Sequence, residues 1–145
     1  MDKIRFEQAT EADKAYFHKL NKACYEEVVG RQFGPWDDDH QNKSFELKWP
    51  DNNFRKIYVN DELVGGVWID DHPEFIQLRE IQIHPDYRGR SIGTRIVQME
   101  IDSARAQNRK IRLRVLFQNV AIGLYKRLGF VTIDQNEHQY IMECE

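Results

Sequence analysis

The stretch HPDYRGRSIGTRIV, residues 84–97, places two glycines and three arginines between a strand-like run and an amphipathic run. Gly89 and Gly93 allow positive φ or close approach, and the N-terminus of a helix offers unpaired N–H groups and the positive end of its dipole. Such a turn suits a pyrophosphate, although the Gly-Lys-Ser/Thr and GxGxxG patterns of common nucleotide sites are absent. A plain strand-to-helix turn with its arginines in solvent is the alternative.

The elements around this loop form a strand–helix–strand unit. Apolar periodicity predicts a strand over 75–84, a helix over 92–104 and a strand over 111–115. Two strands joined by a helix in this way lie parallel in one sheet. The loop therefore follows a sheet strand directly.

The strand before the loop has an irregular pattern. Ile76 and Leu78 have one parity, whereas Ile81 and Ile83 have the other. Either both faces of this strand are covered, or a β-bulge near residues 79–80 shifts the phase. A bulge leaves backbone groups unpaired, so that a ligand can use them.

The rest of the chain supplies further strands and helices. Thr10–Asp13 resembles a capping box before a helix on the face of Ala12, Tyr16, Leu20 and Ala23, and a polar helix begins near Asp38 with Gln41 as its capping partner. The remaining predicted helix covers 121–128, and further strands cover 4–6, 55–59, 63–69, 130–133 and 140–142. Gly30 and Gly129 are the predicted ends of their helices.

These elements predict an α/β (α+β) fold. A central mixed sheet of six to seven strands would combine an antiparallel N-terminal meander with a parallel pair at strands 4 and 5, flanked by about four helices. The chain has 145 residues, of which 41% are hydrophobic, and no linker-like stretch, so one domain over 1–145 is expected.

Composition excludes several classes of protein. No apolar run in the chain approaches the length of about 18 residues that a membrane span needs, and the first residues lack the apolar core of a signal peptide. We therefore expect a cytoplasmic protein with no membrane partner. Its two cysteines form no CxxC pair, and its five histidines show no ligand spacing, so no metal is predicted. Residues 1–86 carry 11 basic against 18 acidic side chains and residues 87–145 carry 10 against 6, so the positive charge begins at the loop.

Two motifs together resemble the GNAT superfamily of acyl-coenzyme A-dependent N-acyltransferases. One is the loop Arg88–Thr94 after the strand that ends Ile-Gln-Ile-His-Pro, and the other is LYKRLGF at 124–130, with Ala121 before it. Ser91 stands where the family's first loop glycine is, and Gln118 stands where the family has asparagine. The resemblance covers 76–130 strongly and the earlier elements more loosely.

The resemblance implies a cofactor and a set of site residues. Acetyl-CoA would be the co-substrate, with its pantetheine arm along the fourth strand and its pyrophosphate on the loop amides. The cofactor-binding residues implied are Ile81, Gln82, Ile83, Arg88, Gly89, Arg90, Ser91, Ile92, Gly93, Thr94 and Gln118. The bulge would direct an N–H group at the thioester carbonyl.

Two side chains are candidates for proton transfer. Tyr125 matches the family tyrosine that acts as general acid toward the departing thiolate, and a core aromatic is the alternative reading. Glu80 is the candidate base for the attacking amine, because it lies on the strand next to the predicted bulge and has the opposite parity to Ile81 and Ile83. It could instead bind a cationic substrate or pair with an arginine.

The acceptor side is expected near residues 33–49. Trp36 and Asp37 are candidate substrate residues for a small-molecule amine or peptide amine, with a solvated helix start as the alternative. The resulting hypothesis is an N-acetyltransferase that moves an acetyl group from acetyl-CoA to a primary amine by direct attack. A non-catalytic acyl-CoA sensor is the alternative, a homodimer fits the family resemblance, and nucleic acid is not an expected partner because several arginines would serve the cofactor phosphates.

Overall fold

The computed structural model describes residues 2–145, and its seven strands form one sheet in the order β1-β2-β3-β4-β5-β7-β6. The strands are β1 (Ile4–Gln8), β2 (Phe54–Val59), β3 (Glu62–Asp71), β4 (Phe75–Ile83), β5 (Lys110–Leu116), β6 (Val131–Gln135) and β7 (Gln139–Cys144). The helices are α1 (Lys14–Phe33), α2 (Asp38–Lys48), α3 (Ile92–Ala106) and α4 (Ile122–Arg127). Short 3₁₀ turns at Glu11–Asp13, Trp49–Asp51 and Pro85–Tyr87 lead into or out of these elements.

The sheet is mixed, as the sequence predicts. Strands β1 to β4 are antiparallel neighbours, and β4 and β5 run parallel. The last strand, β7, lies between β5 and β6 and is antiparallel to both. The predicted meander and the parallel pair at strands 4 and 5 are therefore confirmed.

Three local predictions need correction. Helix α1 does not end at Gly30 but continues to Phe33, and Gly34, with φ +104°, follows it as the positive-φ cap. The predicted buried face of this helix is also corrected. Phe17, Leu20 and Val28 are its buried residues, whereas Ala12 and Ala23 of the predicted face are exposed.

The cap of α2 also differs from the prediction. Asp37, not Asp38, is the N-cap, and its carboxylate accepts a hydrogen bond from the His40 N–H at 3.2 Å. The side chain of Asp38 instead forms an ion pair with Lys22 at 3.0 Å.

Each face of the sheet has its own hydrophobic core. On one face, α3 packs over the central strands through its buried residues Ile92, Ile96, Val97, Ile101 and Ala104. On the other face, α1 and the 3₁₀ turn after α2 contribute to a mainly aromatic cluster of Phe17, Leu20, Trp49, Phe54 and Trp68. The sheet is thus enclosed between two helical layers.

The predicted bulge in β4 is present. Glu80 pairs with Trp68 and Leu78 pairs with Ile69, so Arg79 is an extra residue on β4. Ile76 and Leu78 before the bulge and Ile81 and Ile83 after it consequently pack against the same core, which explains the parity change in the sequence.

Candidate functional site

Strands β4 and β5 part where the bulge begins. Their parallel pairing runs from Phe75 with Lys110 to Leu78 with Leu113. Both strands continue past that point, but they no longer pair with each other. A cavity of about 1210 Å³ is lined by both strands beyond the last pair and by α1, α2, α3 and α4. This volume exceeds the range of about 300–1,000 Å³ that is typical of small-ligand pockets.

The 88–94 loop borders this cavity. The first helical hydrogen bond of α3 runs from the Arg95 N–H to the Ser91 carbonyl at 3.0 Å. Among residues 2–145, the N–H groups of positions 89–94 have no hydrogen-bond acceptor. Consecutive free amides at a helix N-terminus form an anion site, so this loop fits a phosphate group.

Ser91 adopts a left-handed backbone conformation, with φ +60° and ψ 20°. This region is open to glycine and costs about 1–2 kcal/mol for most other residues. Gly89, with φ +79°, needs the same freedom. By contrast, a Cβ at Gly93 would lie 3.9 Å from Ile83 Cγ1, an ordinary contact.

The three loop arginines have different surroundings. Arg88 lines the cavity, whereas Arg90 lies outside the lining residues and packs over the Tyr87 ring at 5.4 Å. Arg95 donates to the Asp2 carbonyl at 3.0 Å. Of the three, Arg88 is therefore the one in position to meet a ligand in the cavity.

The last residues of β4 form one wall of the cavity. Ile81, Gln82 and Ile83 all line it, and the Ile83 carbonyl accepts a hydrogen bond from the Cys24 thiol at 3.3 Å. Burial raises the pKa of this thiol to about 11, so Cys24 stays protonated. Gln82 is 2% exposed, and its Oε1 has no partner within the described chain.

Tyr125 reaches the same cavity from α4. Its ring packs edge-on against Phe130 at 5.7 Å, and the residue is 7% exposed. Its hydroxyl donates to no group among residues 2–145. Burial, with a smaller effect of the Glu80 charge, raises the pKa of Tyr125 to about 12, so the phenol keeps its proton at neutral pH.

Glu80 lies beside the bulge and is held by α1. The Tyr25 hydroxyl donates a hydrogen bond to its carboxylate. Burial raises the pKa of Glu80, and the bond from Tyr25 offsets part of that effect by stabilising the ionised form. Burial also raises the pKa of Tyr25 well above its ordinary value, so Tyr25 remains the donor.

The segment before α4 contacts the C-terminal end of α1. The Gln118 carbonyl accepts from Arg31 at 3.0 Å and its N–H donates to Gln32 at 3.0 Å, while its side chain is not among the cavity lining. Asn119, the next residue, lines the cavity instead. A cofactor role for the Gln118 side chain stays a prediction.

The predicted acceptor residues separate in space. Trp36 lines the cavity and donates from its indole N–H to Asp38 at 3.1 Å. Asp37 is the cap of α2 and does not line the cavity. Asp37 therefore lies at the start of a helix, as the alternative interpretation of this segment has it.

Sequence reasoning missed Tyr25 and Lys48, which also line the cavity. A signal for Tyr25 existed: Phe17, Asn21, Cys24 and Tyr25 recur at helical spacing, and all four line the cavity.

Comparison with known proteins gives the family. The sequence matches the Acetyltransferase (GNAT) family over residues 15–130. The chain belongs to this family. An acetyltransferase of Pectobacterium atrosepticum is 32% identical over an alignment of 104 residues, and the match covers 69% of this chain and 72% of that protein. An uncharacterized N-acetyltransferase of Methanocaldococcus jannaschii is 38% identical over an alignment of 93 residues, and the match covers 58% of this chain and 41% of that relative's length.

Solved GNAT structures share the fold. The PaiA N-acetyltransferase of Thermoplasma acidophilum, whose crystal structure is a complex with coenzyme A, superposes with a TM-score of 0.78 at 17% identity over 99% of each chain. In this GNAT chain, no helix among residues 2–145 is long and apolar enough to cross a membrane. The same residues contain no group of three His, Cys, Asp or Glu side chains arranged to hold a metal ion.

Proposed function

We propose that this GNAT protein transfers an acetyl group from acetyl-CoA to a primary amine by direct attack. One observation carries the proposal: Tyr125 from α4 and Glu80 from β4 line one cavity at the point where β4 and β5 part. The free amides of the 88–94 loop border the same cavity. A neutral phenol and a carboxylate in one cavity suit the two proton transfers of amide formation.

The 88–94 loop is the proposed pyrophosphate site. Its N–H groups and Arg88 would hold the phosphates of acetyl-CoA. The PaiA structure, which has the same fold, is a complex with coenzyme A and so supports this choice of ligand. The pantetheine arm would lie along β4 at residues 81–83, because β4 has no strand partner on the β5 side beyond Leu78. An unpaired N–H at the bulge would then stabilise negative charge on the thioester oxygen.

Each proton in the proposed reaction has a defined path. The amine nitrogen bonds to the thioester carbonyl carbon, and Glu80, directly or through water, accepts the proton that the nitrogen loses. Tyr125 donates its phenolic proton to the sulfur as the carbon–sulfur bond breaks. The products are an N-acetylated amine and coenzyme A, and no redox change is involved.

The remaining predictions fit this proposal. Residues 1–145 would act as a single acetyltransferase domain. A homodimer would use the edge strand β6, where Val131 is 61% and Ile133 is 47% exposed. Size-exclusion chromatography with light scattering checks the dimer, and a monomeric mass contradicts it.

Thiol release from acetyl-CoA tests the function. The wild type is incubated with a broad panel of amines, and coenzyme A is measured with a thiol reagent. Tyr125→Phe should lower kcat by about 100-fold or more while the Kd for coenzyme A stays near the wild-type value. Tyr140→Phe is the matched control, because Tyr140 packs on Phe117 outside the cavity lining. Binding of acetyl-CoA without turnover across the panel would favour the sensor.

A further inference from the structure

The part of the cavity next to α2 has an aromatic wall. Trp49 and Trp68 line it with 4% and 5% exposure, and Phe54 packs on Trp68 at 5.3 Å. Their indole N–H groups already donate to Glu11 and Asp70, each at 2.9 Å. This wall therefore offers apolar surface and no free donor to a ligand.

Carboxylates around this wall are mostly neutralised. Asp70 accepts from Arg79 at 3.0 Å in addition to the Trp68 indole. Glu80 has no Lys, Arg or His nitrogen within 4.0 Å among residues 2–145, and its carboxylate accepts a hydrogen bond from the phenol of Tyr25. A polyamine would consequently find one free carboxylate in this part of the cavity.

Lys48 supplies an unpaired positive charge at the same place. It is exposed in the last turn of α2 and lines the cavity. No carboxylate oxygen of the described chain lies within 4.0 Å of its ammonium group. Its charge lowers the pKa of Glu80 and so offsets part of the burial effect, and Glu80 lines the same cavity.

We infer that the acceptor is an amino acid or a similar amine that also carries a carboxylate. Its amine lies at Glu80, its carboxylate pairs with Lys48, and its side chain packs on Trp49 and Trp68. This inference rests on the proposed acetyl transfer and adds the substrate class. The chemical step is unchanged, because the carboxylate is bound and does not react.

The test compares acceptors that share a side chain and differ in the carboxylate. Each L-amino acid is assayed beside its amide and its decarboxylated amine, with spermidine as a polyamine, and thiol release gives kcat/KM per neutral amine. At least one amino acid should exceed its amide by about tenfold or more. In Lys48→Gln the ratio of amino acid to amide should fall toward one, and in Lys48→Glu it should reverse.

A matched variant separates local from general charge. Lys43→Gln removes an exposed lysine of the same helix that does not line the cavity, and it should keep the wild-type ratio. Equal rates for acids and amides, or an equal fall of the ratio in the Lys43 and Lys48 variants, would overturn the inference while acetyl transfer stands. Absence of thiol release with every amine would overturn the proposed function itself, and the inference with it.

Discussion

The phenol of Tyr25 in α1 donates a hydrogen bond to the carboxylate of Glu80 in β4, across 55 residues of sequence. Tyr25 thus fixes the side chain that we propose as the base, although it need not touch a substrate itself. The bond favours the ionised carboxylate, which is the form that accepts a proton. Tyr25 is therefore a positioning residue for Glu80.

Tyr25→Phe should shift the pH dependence of activity. Without the hydrogen bond, burial raises the pKa of Glu80 further, so a smaller fraction of the carboxylate is ionised at a given pH. The acid limb of kcat/KM should move to higher pH, with a loss of about tenfold near neutrality and recovery at alkaline pH. A pH profile of kcat/KM measures this, and an unshifted acid limb would show that Tyr25 does not act on Glu80.

Glu80→Gln should remove the acid limb instead of moving it. The amide is similar in size but accepts no proton, so kcat should fall by about 100-fold or more across the pH range. Coenzyme A affinity should be retained, because the 88–94 loop is untouched. A variant with wild-type kcat would mean that another group or solvent takes the amine proton.

Tyr16→Phe is a control for Tyr25→Phe and a prediction in its own right. The Tyr16 hydroxyl is buried and has no hydrogen-bond partner within the described chain, and burial raises its pKa to about 12. Removing an unpaired buried hydroxyl should raise the free energy of unfolding by about 1 kcal/mol. Urea denaturation measures this change, the pH profile of activity should stay as in the wild type, and a clear loss of stability would contradict the prediction.

Local patterns account for most of the fold prediction. The parity change between Leu78 and Ile81 lies within one strand, so it indicates the bulge without any tertiary information. The strand–helix–strand order that contains the loop likewise predicts the parallel pairing of β4 and β5. The position of β7 between β5 and β6 is not encoded in any such local pattern, because strand order depends on which edge of the sheet remains free.

The candidate site was predictable only where its parts are close in the sequence. Tyr125 and the loop belong to motifs, whereas the contact of Tyr25 with Glu80 depends on how α1 packs over the sheet. Asn119 lines the cavity although the motif comparison did not single it out, and the cofactor role of the Gln118 side chain stays a prediction. The left-handed backbone of Ser91 could not be predicted from its residue type, because this conformation is typical of glycine and is imposed here by the loop.

Ser91 variants should separate backbone strain from ligand contact. Ser91→Gly relieves about 1–2 kcal/mol of left-handed strain and adds about 0.5–1 kcal/mol of unfolded-state freedom, so coenzyme A affinity should change less than about fivefold. Ser91→Asn, which tolerates this conformation, should bind similarly, whereas the β-branched side chain in Ser91→Val should weaken binding by about tenfold. Isothermal titration calorimetry measures the affinities. A gain above about tenfold in Ser91→Gly would contradict the prediction, because it would mean that Ser91 takes the left-handed conformation only when coenzyme A binds.

Gly65→Ala should damage the fold at the strand proposed to bind the cofactor. A Cβ on Gly65 would lie 1.9 Å from the Gln82 carbonyl oxygen and 3.1 Å from Ile83 Cα, so β3 and β4 must separate there. Because both contacts are backbone atoms, no side-chain rotation relieves the clash, and the free energy of unfolding should fall by about 3 kcal/mol or more. Gly30→Ala is the matched control: nothing lies within 4 Å of its Cβ in the interior of α1, so it should stabilise the protein by about 0.5–1 kcal/mol. Denaturant unfolding of both variants gives the comparison, and equal stabilities would mean that β3 and β4 yield at this crossing at little cost.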